Sequence, residues 1–245
     1  MSNPISQTVE QIKFEVASLT RMFNDLKILD HSGHVSARLP DGNFLMQGVN
    51  ASRALLNPED LFTMSLQGEI LDGPQGTRPA SEFHIHSEIY KARADVNAVL
   101  HAHPQVPVLF TIAEGAQLKM VINHGYRWRT GVPTHPDTAH ISSSALGRDL
   151  VNTLGDHNAL LLKAHGIVLV SESVSTLLID GIQFDRNAKT QLEAARLGPP
   201  VALSDEELDV FEERFDRPHH ADKLWKYYTS RAVDQGVLPG NWVNA

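Results

Sequence analysis

The 245-residue sequence predicts an α/β protein. Segments with helical apolar spacing alternate with short apolar runs bounded by Gly, Pro, Asn and Asp. The apolar fraction of 42% and the charged fraction of 20% are ordinary for a globular fold. No repeat, low-complexity segment or linker interrupts the chain, so one α/β domain with a helical extension from about residue 200 accounts for its length.

Residues 7–29 place Val9, Ile12, Val16, Leu19, Met22, Phe23 and Leu26 at helical spacing. The stretch HVSARLPDGNFLMQG reads as two short strands around the turn Pro40–Asn43. NPED (57–60) marks a turn or helix start before the strand LFTMSL, and QGEILDGPQGTRP is loop-rich. Helical spacing returns over 82–95 with Phe83, Ile85, Ile89, Tyr90 and Ala94. NAVLHAH (97–103) reads as a strand stopped by Pro104, and PVLFTIAEG as a short helix. Residues 124–140 form a polar loop of 17 residues, a length usually tied to function. A helix over 143–154, an apolar run at 159–170 and a helix from about Thr176 to Leu197 follow, with Ser173 or Ser175 as N-cap. Ser204 and Glu207 form a capping box that opens the next helix, and RPHHADKLWKYYTSR is a further helical piece.

The net charge of −8 and the absence of adjacent Lys or Arg argue against nucleic-acid binding. With no cysteine, a metal must use His, Asp, Glu or carbonyl oxygen. No signal core and no apolar run of membrane-spanning length is found, so no membrane partner and a cytoplasmic location are expected.

The chain has 13 histidines, four of them in two His-x-His pairs, His84/His86 and His101/His103. Residues i and i+2 point to one side of a strand but lie roughly 200° apart on a helix. The strand pair His101/His103 therefore converges, and the helix-start pair diverges. His165 interrupts an apolar run and precedes Gly166, which permits close backbone approach. Three imidazoles suit Zn²⁺, Mn²⁺, Co²⁺ or Fe²⁺ and leave positions open for chemistry. Glu82 is the candidate fourth group; its alternative role is a carboxylate at a helix N-terminus.

The motifs GHVSARLPDGNFLMQG, PEDL, SEFHIHSEIYKARADVNAVLHAHP and LLLKAHGIVL resemble, in order and spacing, the class II aldolase/adducin family over about residues 8–198. The resemblance implies a three-layer α/β/α fold with a central, mainly antiparallel sheet. It implies one divalent metal, Zn, Mn or Co, on His101, His103 and His165, with Glu82 as ligand or acid/base. It places His86 near the pocket wall, assigns nothing to His84, and implies a homo-oligomer, commonly a tetramer with sites between subunits.

The sequence departs from the sugar-phosphate aldolases of that family. GHVS carries His34 where they have Asn, MQGVNAS replaces T-P-S-G, and ASE replaces S-S-E, leaving Ser81 but losing one hydroxyl. Those positions build a phosphate cradle, so their loss implies a substrate without phosphate. GHVSAR and the W-x-Y-Y segment are similar to the decarboxylase branch, whose substrates are hydroxy-aromatic dicarboxylates or ring-cleavage products of catechols. The expected reaction is metal-assisted C–C cleavage through an enolate, with CO₂ leaving and Glu82, or a water or His it positions, supplying the proton. A small-molecule carboxylate is the expected substrate, with His34, Arg53, Ser81, His86 and Tyr227 as candidate contacts; Arg38, Arg127 and Arg129 are weaker ones. The alternatives are aldolase action on a hydroxy-carbonyl or sugar phosphate, a dehydratase or epimerase on the same scaffold, and a non-catalytic adducin-like module.

Overall fold

The amphipathic segment at the start of the chain folds as helix α1 (Val9–Asp25) in the computed structural model, which describes residues 7–242. Thr8 and Gln11 close a capping box at its N-terminus. Strands β1 (His34–Arg38) and β2 (Phe44–Gln47) form the predicted hairpin. A 3₁₀ turn over Pro58–Asp60 leads into β3 (Leu61–Met64). The loop-rich stretch after it holds a short edge strand, β4 (Ile70–Asp72), which its glycines and prolines obscured in the sequence.

Helix α2 (Phe83–Ala92), strand β5 (Ala98–Ala102) and helix α3 (Gln105–Ile112) follow. The 124–140 segment is more ordered than a polar loop. It contains a 3₁₀ turn over Asn123–Trp128 and a strand β6 (Thr134–His135). Helix α4 (Ser144–Leu154) is capped by Ser143. The 159–170 run is two strands rather than one, β7 (Ala159–Leu162) and β8 (Gly166–Ser171), paired antiparallel. The chain reverses between them, with Ala164 in the left-handed region at φ 54°. His165 therefore sits in a turn and not inside an apolar strand. Helices α5 (Val174–Ala194), α6 (Asp205–Arg214) and α7 (Arg217–Asp234) complete the order, with Ser173 capping α5 and the Ser204/Glu207 box capping α6.

The eight strands form one sheet in the order β4-β3-β2-β1-β5-β8-β7-β6. Every neighbouring pair is antiparallel except β6 with β7. Alternation along the strands sends side chains to two cores. Val35, Ala37, Ala98, Leu100 and Leu169 pack with α1 and α5. Val99, Leu160, Val168 and Val170 pack on the other side, with Ile85 and Ile89 of α2 and Leu150 and Leu154 of α4. This is the expected α/β architecture, a mainly antiparallel sheet flanked by helices.

Candidate metal centre

Within β5, Ala98, Leu100 and Ala102 belong to the α1/α5 core, while Val99 belongs to the α2/α4 core. The same alternation turns His101, fully buried, toward α2. His103 lies one residue beyond the strand, and its Nε2 is 3.1 Å from Nε2 of His101. Pro104 then caps α3 and ends the pairing. The β7–β8 turn brings in His165, whose ring stacks on His103 at 5.2 Å. That approach needs Gly166: a Cβ there would fall 2.4 Å from the Ala102 carbonyl oxygen and 3.0 Å from the His103 ring.

Glu82 occupies the N-cap position of α2 but makes no side-chain cap. Its Oε1 accepts the Ile141 N–H at 3.0 Å. Its Oε2 lies 3.3 Å from His101 Nε2 and 3.9 Å from His165 Nε2. One ligand atom each from Glu82, His101, His103 and His165 falls within 4.8 Å of the others.

The donor set fits a divalent cation. His101 Nδ1 donates to the Ile167 carbonyl at 3.0 Å, and His103 Nδ1 donates to both oxygens of Asp30 at 3.1 Å. A neutral ring that donates from Nδ1 has a bare lone pair at Nε2. Two such lone pairs face each other at 3.1 Å, a repulsive contact that a shared cation makes attractive. Ligands bound tetrahedrally at ~2.0–2.1 Å sit roughly 3.3 Å apart, the scale of the spacings seen here. Outer hydrogen bonds of this kind orient ligating histidines and raise their basicity.

The electrostatics agree. Burial raises the Glu82 carboxyl, but protons on His101 and His165, with the Ile141 N–H, outweigh it and bring it down to about 2; a cation on the same nitrogens would act in the same direction. Burial likewise raises Asp30, while Gly33, His103 and Ser32 pull it down to about 2. Burial, reinforced by His101, pushes His165 down to about 4 and also lowers His103. Ionised carboxylates and neutral imidazoles are the forms that bind metal.

Against the cluster lies a second group of side chains. His34 pairs with His101 in register across β1 and β5, their ring centroids 5.0 Å apart. His34 Nδ1 is 2.7 Å from His86 Nε2, His86 Nδ1 is 2.6 Å from Ser36 Oγ, and Ser36 Oγ is 2.7 Å from the Tyr90 hydroxyl. Both ring nitrogens of His86 are thus engaged and its side chain is fully buried. It stands behind His34, on the side away from the cluster's His101, with no ring nitrogen left free. Burial, with neighbouring His86 and His101, holds His34 well below its ordinary value. Burial, with His101, brings His86 to about 3. His84 lies outside both groups, as the helical geometry requires.

The other candidates are placed differently. Arg53 is buried and spends its guanidinium on backbone: Nε donates to Gly33 O at 2.9 Å, and Nη1 donates to Gly48 O and Ala51 O. A fork held this way tethers the loop before β1 rather than reaching for a carboxylate. Gln47 does the same work, accepting the Val35 N–H and donating to Gly33 O. Arg38 donates to the carbonyls of Tyr90, Arg93 and Val96. Arg127 pairs with Glu172 and Asp180, and Arg129 with Asp209 and Glu212. Ser81 lines a surface cleft with Arg78, Phe83, His84 and Ser142. Tyr227 is 58% exposed on α7. One residue went unnoticed in the sequence: exposed His140, whose Nε2 is 3.4 Å from Glu82 Oε2. It lies at the end of the long 124–140 segment, and nothing in its local spacing singles it out.

Fold and site together define an α/β protein with a cluster of three histidines and one carboxylate whose ligand atoms are spaced to hold a cation. Residues 14–192 match the Class II Aldolase and Adducin N-terminal domain family, and the chain belongs to it. It is 26% identical over 219 residues to a 3,4-dihydroxyphthalate decarboxylase of Rhodococcus jostii (strain RHA1), covering 82% of this chain and 87% of that protein. It is 24% identical over 164 residues to a 5-deoxy-D-ribulose 1-phosphate aldolase of Bacillus thuringiensis, covering 65% of this chain and 73% of that one. A crystal structure of an aldolase II superfamily protein from Pseudomonas syringae superposes with a TM-score of 0.81 at 22% identity, covering 96% of each chain. Among the described residues no helix is long and apolar enough to cross a membrane.

Proposed function

We propose that this protein is a divalent-metal-dependent carbon–carbon lyase that decarboxylates a hydroxy-aromatic dicarboxylate or a related oxo-dienoate. The observation that carries the reading is the wall beside the cation site. It is built from His34, backed by His86, while Gln47 and Arg53 are committed to backbone groups. Such a wall lacks the hydroxyls that would cradle a phosphate. The similarity to a 3,4-dihydroxyphthalate decarboxylase over most of both chains supports the same reading.

His101, His103, His165 and Glu82 would hold the metal, which supplies Lewis-acid stabilisation of the negative charge that develops as the bond breaks. His34 meets an anionic oxygen of the substrate. The bond to the departing carboxylate breaks, its electron pair stays on the substrate, and CO₂ leaves. A proton then replaces CO₂ on carbon. His140, exposed and with its Nε2 3.4 Å from Glu82 Oε2, delivers it with Glu82 as its partner.

The test loads the protein with Zn²⁺, Mn²⁺ or Co²⁺ and offers hydroxy-aromatic dicarboxylates, 3,4-dihydroxyphthalate among them, beside sugar phosphates. CO₂ and aldehyde are both measured. CO₂ from the aromatic acids is the expected outcome. Aldehyde from a sugar phosphate without CO₂ would replace this reading by an aldolase.

A further inference from the structure

The chain Tyr90–Ser36–His86–His34 has a direction. Its three contacts, 2.7, 2.6 and 2.7 Å, each need one proton between two heavy atoms. Tyr90 closes the blind end: it is buried, and Ser36 Oγ is the only hydrogen-bond partner of its hydroxyl among the described residues. A phenol carries a proton that must go somewhere. If it is donated to Ser36, the Ser36 hydroxyl donates to His86 Nδ1, and His86 donates from Nε2 to His34 Nδ1. His34, a neutral ring, then carries its own proton on Nε2. The opposite polarity leaves the Tyr90 O–H buried with no acceptor. A buried unpaired donor is the costlier end state, so the first polarity prevails.

We infer that Tyr90, Ser36 and His86 form a one-way hydrogen-bond wire that holds His34 as an Nε2–H donor beside the metal cluster, where it positions an anionic oxygen of the substrate. The three buried residues are positioning residues, acting through His34. The arrangement follows from two periodicities. His34 and Ser36 are two apart on β1 and share its α2-facing side, while His86 and Tyr90 are four apart on α2. His34 Nε2 has no hydrogen-bond partner among the described residues, so its proton is free for a ligand. A ligand group that only donates is rejected at this point and one that accepts is favoured. The identity of that acceptor as a substrate oxygen rests on the lyase reading above; the direction of the wire does not.

Neutron diffraction from deuterium-exchanged, zinc-loaded crystals tests the direction. Deuterium is expected on His34 Nε2 and His86 Nε2, with the Ser36 deuteron aimed at His86 Nδ1. Deuterium on His34 Nδ1 would overturn the wire. In solution, ¹⁵N imidazole spectra of the zinc-loaded protein should show the His34 Nε2–H tautomer in roughly tenfold excess or more. Ser36→Ala should lower that excess severalfold, and Ser36→Thr, which keeps the hydroxyl, should restore it. A Ser36→Ala protein with the wild-type tautomer ratio would also count against the wire. His34 protonated at Nε2 in a protein that releases no CO₂ supports the wire and removes only the decarboxylase reading. CO₂ release with His34 protonated at Nδ1 removes only the wire.

Discussion

Nδ1 of His103 lies 3.1 Å from each oxygen of Asp30. The same carboxylate accepts the N–H groups of Ser32 and Gly33, which fold the chain tightly before β1. Asp30 thus ties the turn that leads to His34 to the orientation of His103, a proposed metal ligand. Asp30→Asn retains an oxygen for the turn and loses the charge behind His103. Metal affinity should fall about 10–100-fold, the usual effect of removing such a partner. Competition against a chromophoric chelator measures it; unchanged affinity would show that His103 needs no support.

Glu82→Gln should keep metal, because three imidazoles remain, and lose turnover by at least about 100-fold. Metal content and CO₂ release are measured on the same sample. Full activity would remove Glu82 from the mechanism.

His140→Ala should leave metal content alone and slow turnover, by about tenfold or more if the side chain delivers the proton. A solvent-exposed residue can be removed without disturbing the fold, so the melting temperature serves as the control. Wild-type turnover would return proton delivery to Glu82 or water.

Arg53→Ala should act on stability before it acts on substrate binding. It leaves the Ala51 carbonyl without its donor, takes one of two donors from Gly48 O, which keeps the Ala51 N–H, and weakens the hold on Gly33. A loss of about 2 kcal/mol follows from one carbonyl left unpaired and two left with a single donor, and a Tm drop of about 4–8 °C from a chain of this size. Arg53→Lys should not rescue it, since a point charge cannot span three acceptors. A rise in KM at unchanged Tm would instead support a contact with substrate carboxylate.

Stripping the metal should lower Tm. A cation held only by the folded chain at a hundredfold above its Kd adds about 2.7 kcal/mol, or about 5–11 °C here. Calorimetry with and without chelator decides it. An identical Tm in both would mean the four donors hold no ion in solution.

Much of the site is legible in local spacing. His101 and His103 alternate along a run that ends at a proline, and on a strand the three letters HAH suffice to show that the rings converge. The divergence of His84 and His86 follows just as directly from a helix start. Gly166 after His165 announces a close approach, and the distance from its missing Cβ to Ala102 O shows why. The capping boxes of α1 and α6 and the N-cap of α5 are similarly local. Less visible are β4, hidden among glycines, and β6, two residues long, which pairs with β7, more than twenty residues away in the chain.

The sequence by itself determined which side of its own element each key side chain occupies, because strand and helix periods are set by backbone geometry alone. It also limited any metal to nitrogen and oxygen ligands. Only the tertiary structure decided what those sides meet. Packing α2 across β1 turned His86 from a pocket-wall residue into a link behind His34. Reversal of the chain at Ala164 put His165 on a turn, and Arg53 reached back 20 residues to the Gly33 carbonyl as well as to carbonyls of its own loop. His140 reached Glu82 across 58 residues of sequence. These are contacts between elements, fixed by strand register and helix docking, and no local period encodes them.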